Sequence, residues 1–263
     1  MAAQMFRLEK NNDFISLHSP CSSTQARFCL GRGGSLDTLV VENTNIVTNL
    51  SPISHQKTYP SSVLFPFANR IKDGKYSFNN KNYAFDCNEV AANNALHGLV
   101  YNKTFNCVAH KLTSEFASLQ LRYETDKPED SFPFFYRIDL FYKLTKNGLS
   151  LAITVLNTGE NKFPFTLGWH PYFKTSDINQ SALRFSSSKK LEADARNITT
   201  GVVGCDLTMP YGLKGVILDD AYILQAPVVE FITPEYDVKL TASETETYLQ
   251  LYTPTGLSAI AIE

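Results

Sequence analysis

Five short segments carry polar side chains inside apolar, Gly/Pro-punctuated sequence, and their residue types bound the chemistry open to this chain. They are Phe65-Pro66-Phe67-Ala68-Asn69-Arg70-Ile71, Leu96-His97-Gly98, Gly168-Trp169-His170-Pro171-Tyr172-Phe173, Leu218-Asp219-Asp220-Ala221-Tyr222 and the run Ala259-Ile260-Ala261-Ile262-Glu263. Two histidines with Asp219 and Glu263 are possible zinc ligands by type. No HxxxH, HExxH or Asp-rich loop accompanies them, and such compact spacing is what makes a zinc reading specific, so no metal is expected. Neither a GxSxG nucleophile elbow nor a GxxxxGK[ST] phosphate cradle is present. Gly31-Arg32-Gly33-Gly34 lacks the following helix of a dinucleotide site and reads as a turn. Taken singly, each candidate also has an ordinary reading. His170 among aromatics is a satisfied core histidine, His97 before Gly98 marks a turn, and Arg70 forms a surface ion pair worth little. Asp219 and Asp220 bond their own backbone at a turn, and Glu263 is a solvated chain end.

The elements that must position these residues are strands. Leu149, Leu151, Ile153 and Val155 alternate onto one face, as do Ile138, Leu140, Tyr142 and Leu144. Thr145-Lys146-Asn147-Gly148 joins the two runs, and Asn-Gly is a strong hairpin cue because both residues tolerate positive φ. Tyr76 to Phe85 reads as a second hairpin turning at Asn79 to Asn82. Ser118 to Tyr123, Val238 to Ala242 and Tyr248 to Tyr252 read as further half-buried strands. Helical periodicity is scarce; the best short candidate is Ser61 to Ala68, interrupted by Pro66. With 18 Phe and 13 Tyr, a thick strand-built core is expected. No linker or internal repeat divides the chain, so the expectation is one all-β, mainly antiparallel sandwich or barrel over residues 1–263.

Composition excludes several classes. A chain of 263 residues with 43% hydrophobic and 19% charged residues can bury a core without disulfides or metals. A formal charge of −2 leaves no footprint for nucleic acid or an anionic membrane, so a small, neutral partner is expected. Five scattered cysteines form no CxxC pair, MAAQMFRLEKNNDF lacks the apolar run of a secretory signal, and no stretch is fit to span a bilayer. A cytoplasmic protein with reduced thiols follows, and the sequons at Asn102, Asn179 and Asn197 are then chance matches.

As an ordered set, the five segments resemble the aldose 1-epimerase (galactose mutarotase) family. Asn69-Arg70-Ile71 with Gly74, Tyr76, Phe78 and Tyr83 is similar to its N-R-I-x-x-G-x-[YF]-x-[FL] stretch. Leu96-His97-Gly98 matches its L-H-G, His170-Pro171-Tyr172-Phe173 its H-x-Y-F, and Leu218 to Tyr222 its L-D-x-x-[FY]. Tyr252-Thr253-Pro254 followed by Ala259 to Glu263 resembles the strand that ends in its glutamate. The resemblance runs from Phe65 to Glu263 and implies a large antiparallel β-supersandwich. It implies exchange of the α and β anomers of a free aldohexose such as galactose or glucose, without cofactor or metal. It also assigns roles: Glu263 as general base, His170 as general acid, and Asn69, Arg70, His97 and Asp219 as contacts to sugar oxygens. Trp169 either offers an apolar surface to a sugar face or packs in the core.

The family continues past its glutamate with Pro and further strands, whereas this chain stops at Glu263. Either the chain is truncated or its sheet closes differently, and a terminal residue is expected to be poorly held. Restoring a tail is then expected to raise activity. Two other functions remain open: a hexose-6-phosphate mutarotase, which needs several cations near the sugar, and a non-catalytic carbohydrate-binding module. A monomer and a homodimer are equally compatible with the sequence.

Overall fold

Alternation of apolar and polar residues becomes strand almost throughout the computed structural model, which describes residues 4–243 and 248–263. Residues 1–3, which open the stretch read as lacking a secretory signal, lie outside the described residues. Helix among the described residues is limited to His55–Thr58 and two 3₁₀ turns, Val90–Ala92 and Ile178–Gln180. The chain forms two compact units, Met1–Trp169 and His170–Glu263.

In the first unit, Arg7–Asn11, Phe14–His18, Gln25–Cys29, Ser35–Val41 and Thr44–Val47 form an antiparallel meander. A second meander contains Asn106–Leu112, Ala117–Glu124, Tyr136–Thr145 and Gly148–Asn157. The two meet through aromatic packing: the Phe28 and Tyr142 ring centroids are 4.4 Å apart, and the buried Tyr142 hydroxyl donates to the Gly34 carbonyl at 3.1 Å. Burial of Ile138, Leu140, Tyr142 and Leu144 follows the expected period of two. Their hairpin turns at Lys146-Asn147, with Thr145 opposite Gly148. Neither Asn147 nor Gly148 adopts a positive φ. The turn is held instead by Thr145, whose hydroxyl donates to the Gly148 carbonyl at 3.2 Å. The second expected hairpin pairs Lys75–Phe78 with Lys81–Ala84, and Asn79 and Asn80 supply the left-handed φ values of 49° and 60°.

The expected helix at Ser61 to Ala68 is not formed. Val63–Leu64 pairs as a strand with Gly168–Trp169, and Phe65 bridges to Gly98. Pro66 lacks the N–H that a helix needs and biases Phe65 toward extended backbone. Residues 61–65 are also buried without helical periodicity, because both faces of the segment are covered.

The second unit is a sheet in the order Tyr172–Lys174, Ala259–Ile262, Tyr248–Tyr252, Asp219–Ile232, Ala182–Ala193, Thr199–Gly204. Tyr211–Gly212 adds to Ala182–Ala193, and Asp237–Thr241 adds to Asp219–Ile232. Four of these strands share one register row: Tyr172 opposite Ala261, Ala261 opposite Tyr252, Tyr252 opposite Asp219. That row brings three of the motif segments side by side.

Candidate active site

In the second unit, His170 lies just before the strand Tyr172–Lys174, and Glu263 just after Ala259–Ile262. Because these strands are antiparallel and pair Tyr172 with Ala261, His170 and Glu263 emerge at the same end. His170 Nε2 is 3.1 Å from Glu263 Oε1, with side-chain exposures of 6% and 9%. The imidazole stacks on Tyr172 with centroids 5.0 Å apart. Glu263 is well held: its N–H donates to the Gln250 carbonyl at 2.9 Å, and the Gln250 N–H donates to the Glu263 carbonyl oxygen at 3.2 Å. The side chain of Gln250 then donates to Asp219 Oδ1 at 3.0 Å, while Asn197 donates to Asp219 Oδ2 at 3.1 Å. Burial, followed by the negative charges of Glu263 and Asp219 among its neighbours, pushes the Tyr172 hydroxyl far above its ordinary pKa, so that it stays protonated. One unit therefore gathers a buried histidine–glutamate pair and an exposed carboxylate, linked through Gln250.

In the first unit, Arg70–Lys72 pairs with Asn94–Leu96, placing Arg70 opposite Leu96 and Asn69 beside the His97 backbone. The His97 N–H donates to the Asn69 carbonyl at 3.0 Å. Both residues are left-handed, with φ of 65° and 59°, a conformation that His and Asn adopt more readily than most. The Arg70 guanidinium donates from Nε to both oxygens of Glu89, at 3.1 and 3.0 Å, and from a terminal nitrogen to Asn69 Oδ1 at 2.8 Å. Asn94 donates to the same Glu89 carboxylate at 2.8 Å. The ion pair expected for Arg70 thus exists, but it is largely buried rather than a loose surface contact, with Arg70 14% exposed. His97 is buried and packs edge-on against Tyr59 at 4.8 Å. Trp169 is half-buried and donates its indole N–H to the Ser61 carbonyl at 3.1 Å, which fixes the ring. Among the described residues, no group of three or more His, Cys, Asp or Glu has the arrangement of a metal site.

Two participants are absent from the motif reading. Glu89 orients Arg70, and Gln250 joins Asp219 to Glu263. Gln250 has the outline of an ordinary strand residue between Leu249 and Leu251, and Glu89 lies in a loop without periodicity.

Gly98 explains the glycine of the Leu-His-Gly triplet. Its φ is +73°, and a Cβ would lie 2.2 Å from the Phe65 carbonyl oxygen, which itself accepts the Leu99 N–H at 2.7 Å. Gly98→Ala is expected to lose roughly 2–5 kcal/mol of stability, from left-handed strain plus backbone overlap. Urea denaturation checks this, with a midpoint within error of wild type counting against the geometry.

The profile of the aldose 1-epimerase family matches residues 15–262, and the chain belongs to that family of isomerases. The protein YphB of Escherichia coli (strain K12) is 33% identical over 113 residues, covering 43% of this chain and 36% of that one. YihR of the same strain is 28% identical over 141 residues, covering 53% and 44%. The chain thus matches less than half the length of either relative. A galactose mutarotase-like protein from Clostridium acetobutylicum superposes with a TM-score of 0.79 at 19% identity, covering 98% of this chain and 86% of that one. Galactose 1-epimerase from Lactobacillus acidophilus NCFM gives 0.74 at 14% identity, covering 99% and 89%. At such identities the structures establish the fold: all-β, antiparallel and galactose mutarotase-like. Among the described residues no helix is long and apolar enough to cross a membrane.

Proposed function

We propose that this protein interconverts the α and β anomers of a free aldohexose by general acid–base catalysis. The observation that carries the reading is the 3.1 Å approach of His170 Nε2 to Glu263 Oε1 in a buried setting. The Glu263 carboxylate takes the proton of the C1 hydroxyl as the C1–O5 bond breaks, and the His170 imidazolium delivers a proton to O5. The open-chain aldehyde rotates about C1–C2. Reclosure on the other face returns the O5 proton to His170 and the Glu263 proton to O1. Both groups end in their starting states, so the cycle consumes no cofactor. Asp219, already aligned by Gln250 and Asn197, is an acceptor for a sugar hydroxyl. By the family pattern, Asn69, Arg70 and His97 are proposed contacts to sugar oxygens and Trp169 to a sugar face.

A phosphosugar substrate is disfavoured by the charges. Glu89 already compensates Arg70 through two hydrogen bonds, and Asp219 is flanked by neutral amides. Phosphate recognition instead calls for uncompensated Arg or Lys. The test is polarimetry: freshly dissolved α-D-glucose and α-D-galactose are expected to relax faster with the protein than without it. No acceleration of either sugar by a folded sample defeats the proposal. Saturable binding without acceleration leaves a binding module in its place.

A further inference from the structure

The strand Gly148–Asn157 ends one sheet of the first unit. It pairs with Tyr136–Thr145 on one side, and among the described residues no backbone group pairs with it on the other. An antiparallel ladder leaves every second N–H and C=O of such a strand pointing outward, here over ten residues. Free edges are normally blunted by charge, proline or a bulge. The opposite edge of the same sheet, Asn106–Leu112, has a bulge between Cys107 and Ala109 and carries His110 and Lys111. The edge strand Arg7–Asn11 carries Arg7, Glu9 and Lys10. Gly148–Asn157 has none of these devices: its residues include no charge and no proline, and its pairing runs without a register shift. Its apolar row is also incompletely covered. Leu149, Leu151, Ile153 and Val155 are half-buried, whereas Ile138, Leu140, Tyr142 and Leu144 on the neighbouring strand are buried. We infer that this edge is the interface of a two-fold homodimer, in which Gly148–Asn157 pairs antiparallel with the same strand of a second copy.

The strand is complementary to itself, which selects a second copy as the partner. Pairing about Ala152 sets Leu149 opposite Val155, Leu151 opposite Ile153 and Ser150 opposite Thr154, so apolar meets apolar and hydroxyl meets hydroxyl. The half-buried rows of the two copies then join into one. On the outer face Ala152 lies beside Phe141, which is 42% exposed, and two small alanines at the axis leave room for both phenyl rings. No like charges meet along the strand, and the exposed Lys146 of each copy is carried toward the exposed Glu160 of the other at both ends. An edge about 30 Å long and about 10 Å deep buries roughly 600 Å² over both copies, beside a ladder of main-chain hydrogen bonds. That is the size of a weak, reversible dimer. Because the far edge of the sheet is bulged and basic, pairing closes at two copies instead of growing into a fibre. None of this depends on the proposed chemistry of His170 and Glu263.

The experiment is sedimentation velocity of the full chain from about 1 to about 500 μM, where a monomer–dimer equilibrium is expected with a Kd of roughly 10–100 μM. Ala152 is exposed, so a charge there is compatible with folding, yet it faces its own copy across the axis. Ala152→Asp alone and Ala152→Lys alone each set like charges together and are expected to weaken dimerisation by more than ~10-fold. An equimolar mixture of the two is expected to recover a dimer, a rescue that general damage to the strand does not give. Hydrogen exchange on the wild-type chain needs no variant and serves if the substitutions prevent folding. Backbone amides within residues 149–155 are expected to gain protection as the protein concentration rises. A monomer at every concentration, unchanged dimerisation in both folded variants, a mixture that stays monomeric, or protection of 149–155 that ignores concentration each overturns the inference.

Discussion

His170→Gln is expected to lower kcat/KM for mutarotation by ~10²–10⁴-fold while leaving the melting temperature close to wild type. The glutamine amide nitrogen reaches about where Nε2 sits, 3.1 Å from Glu263 Oε1 in the native site, so it still donates to the carboxylate. It carries no proton that can be passed to a ring oxygen. The loss corresponds to roughly 3–5 kcal/mol of transition-state stabilisation. His170→Ala is expected to lose the same activity and also some stability. It leaves Glu263, with a side chain only 9% exposed, short of one donor, a change that typically costs about 1–3 kcal/mol. Comparing the two variants by polarimetry and thermal unfolding separates a proton donor from a packing residue. Full activity in folded His170→Gln removes His170 from the mechanism.

Much of this arrangement is written in the sequence because strands carry a period of two that local side-chain types reveal. The hairpin of Tyr136–Thr145 and Gly148–Asn157 is legible from Leu, Ile, Tyr and Val at alternate positions, and burial follows the same alternation. Its turn is legible in place but not in mechanism, since Thr145 rather than a left-handed Asn-Gly pair holds the loop. The segment around Val63 misleads because continuous burial erases periodicity, and a short apolar run then has no helix or strand signature of its own. Only partners distant in sequence decide it, here Gly168–Trp169 and Gly98.

The site divides along the same line. His170, Asp219 and Glu263 stand out by type within apolar sequence, and the resemblance to a family orders them. Their mutual geometry depends on a register row across four strands, which no local pattern encodes. Gln250 illustrates the difference. Its backbone holds Glu263 and its side chain holds Asp219, yet its sequence context is that of any half-exposed strand residue. Glu89 does the same for Arg70 from a loop 19 residues away. Positioning residues are hard to read because their chemistry is generic; what is specific is whom they touch.

Glu263→Gln is the second large expected loss, ~10²–10⁴-fold in kcat/KM, and it tests the other half of the proton exchange. The substitution keeps the shape of the side chain and an oxygen that accepts from His170, but removes the charge needed to take the C1 hydroxyl proton. The backbone pairing with Gln250, at 2.9 and 3.2 Å, does not involve the side chain and is expected to survive. Glu263→Asp keeps the charge but withdraws it by one methylene, and a displacement on the order of 1 Å can cost about 10²-fold. The order wild type, then Asp, then Gln is therefore expected for rate. If Glu263→Gln retains the rate, the base is another group, and Asp219, two hydrogen bonds away through Gln250, becomes the next residue to replace.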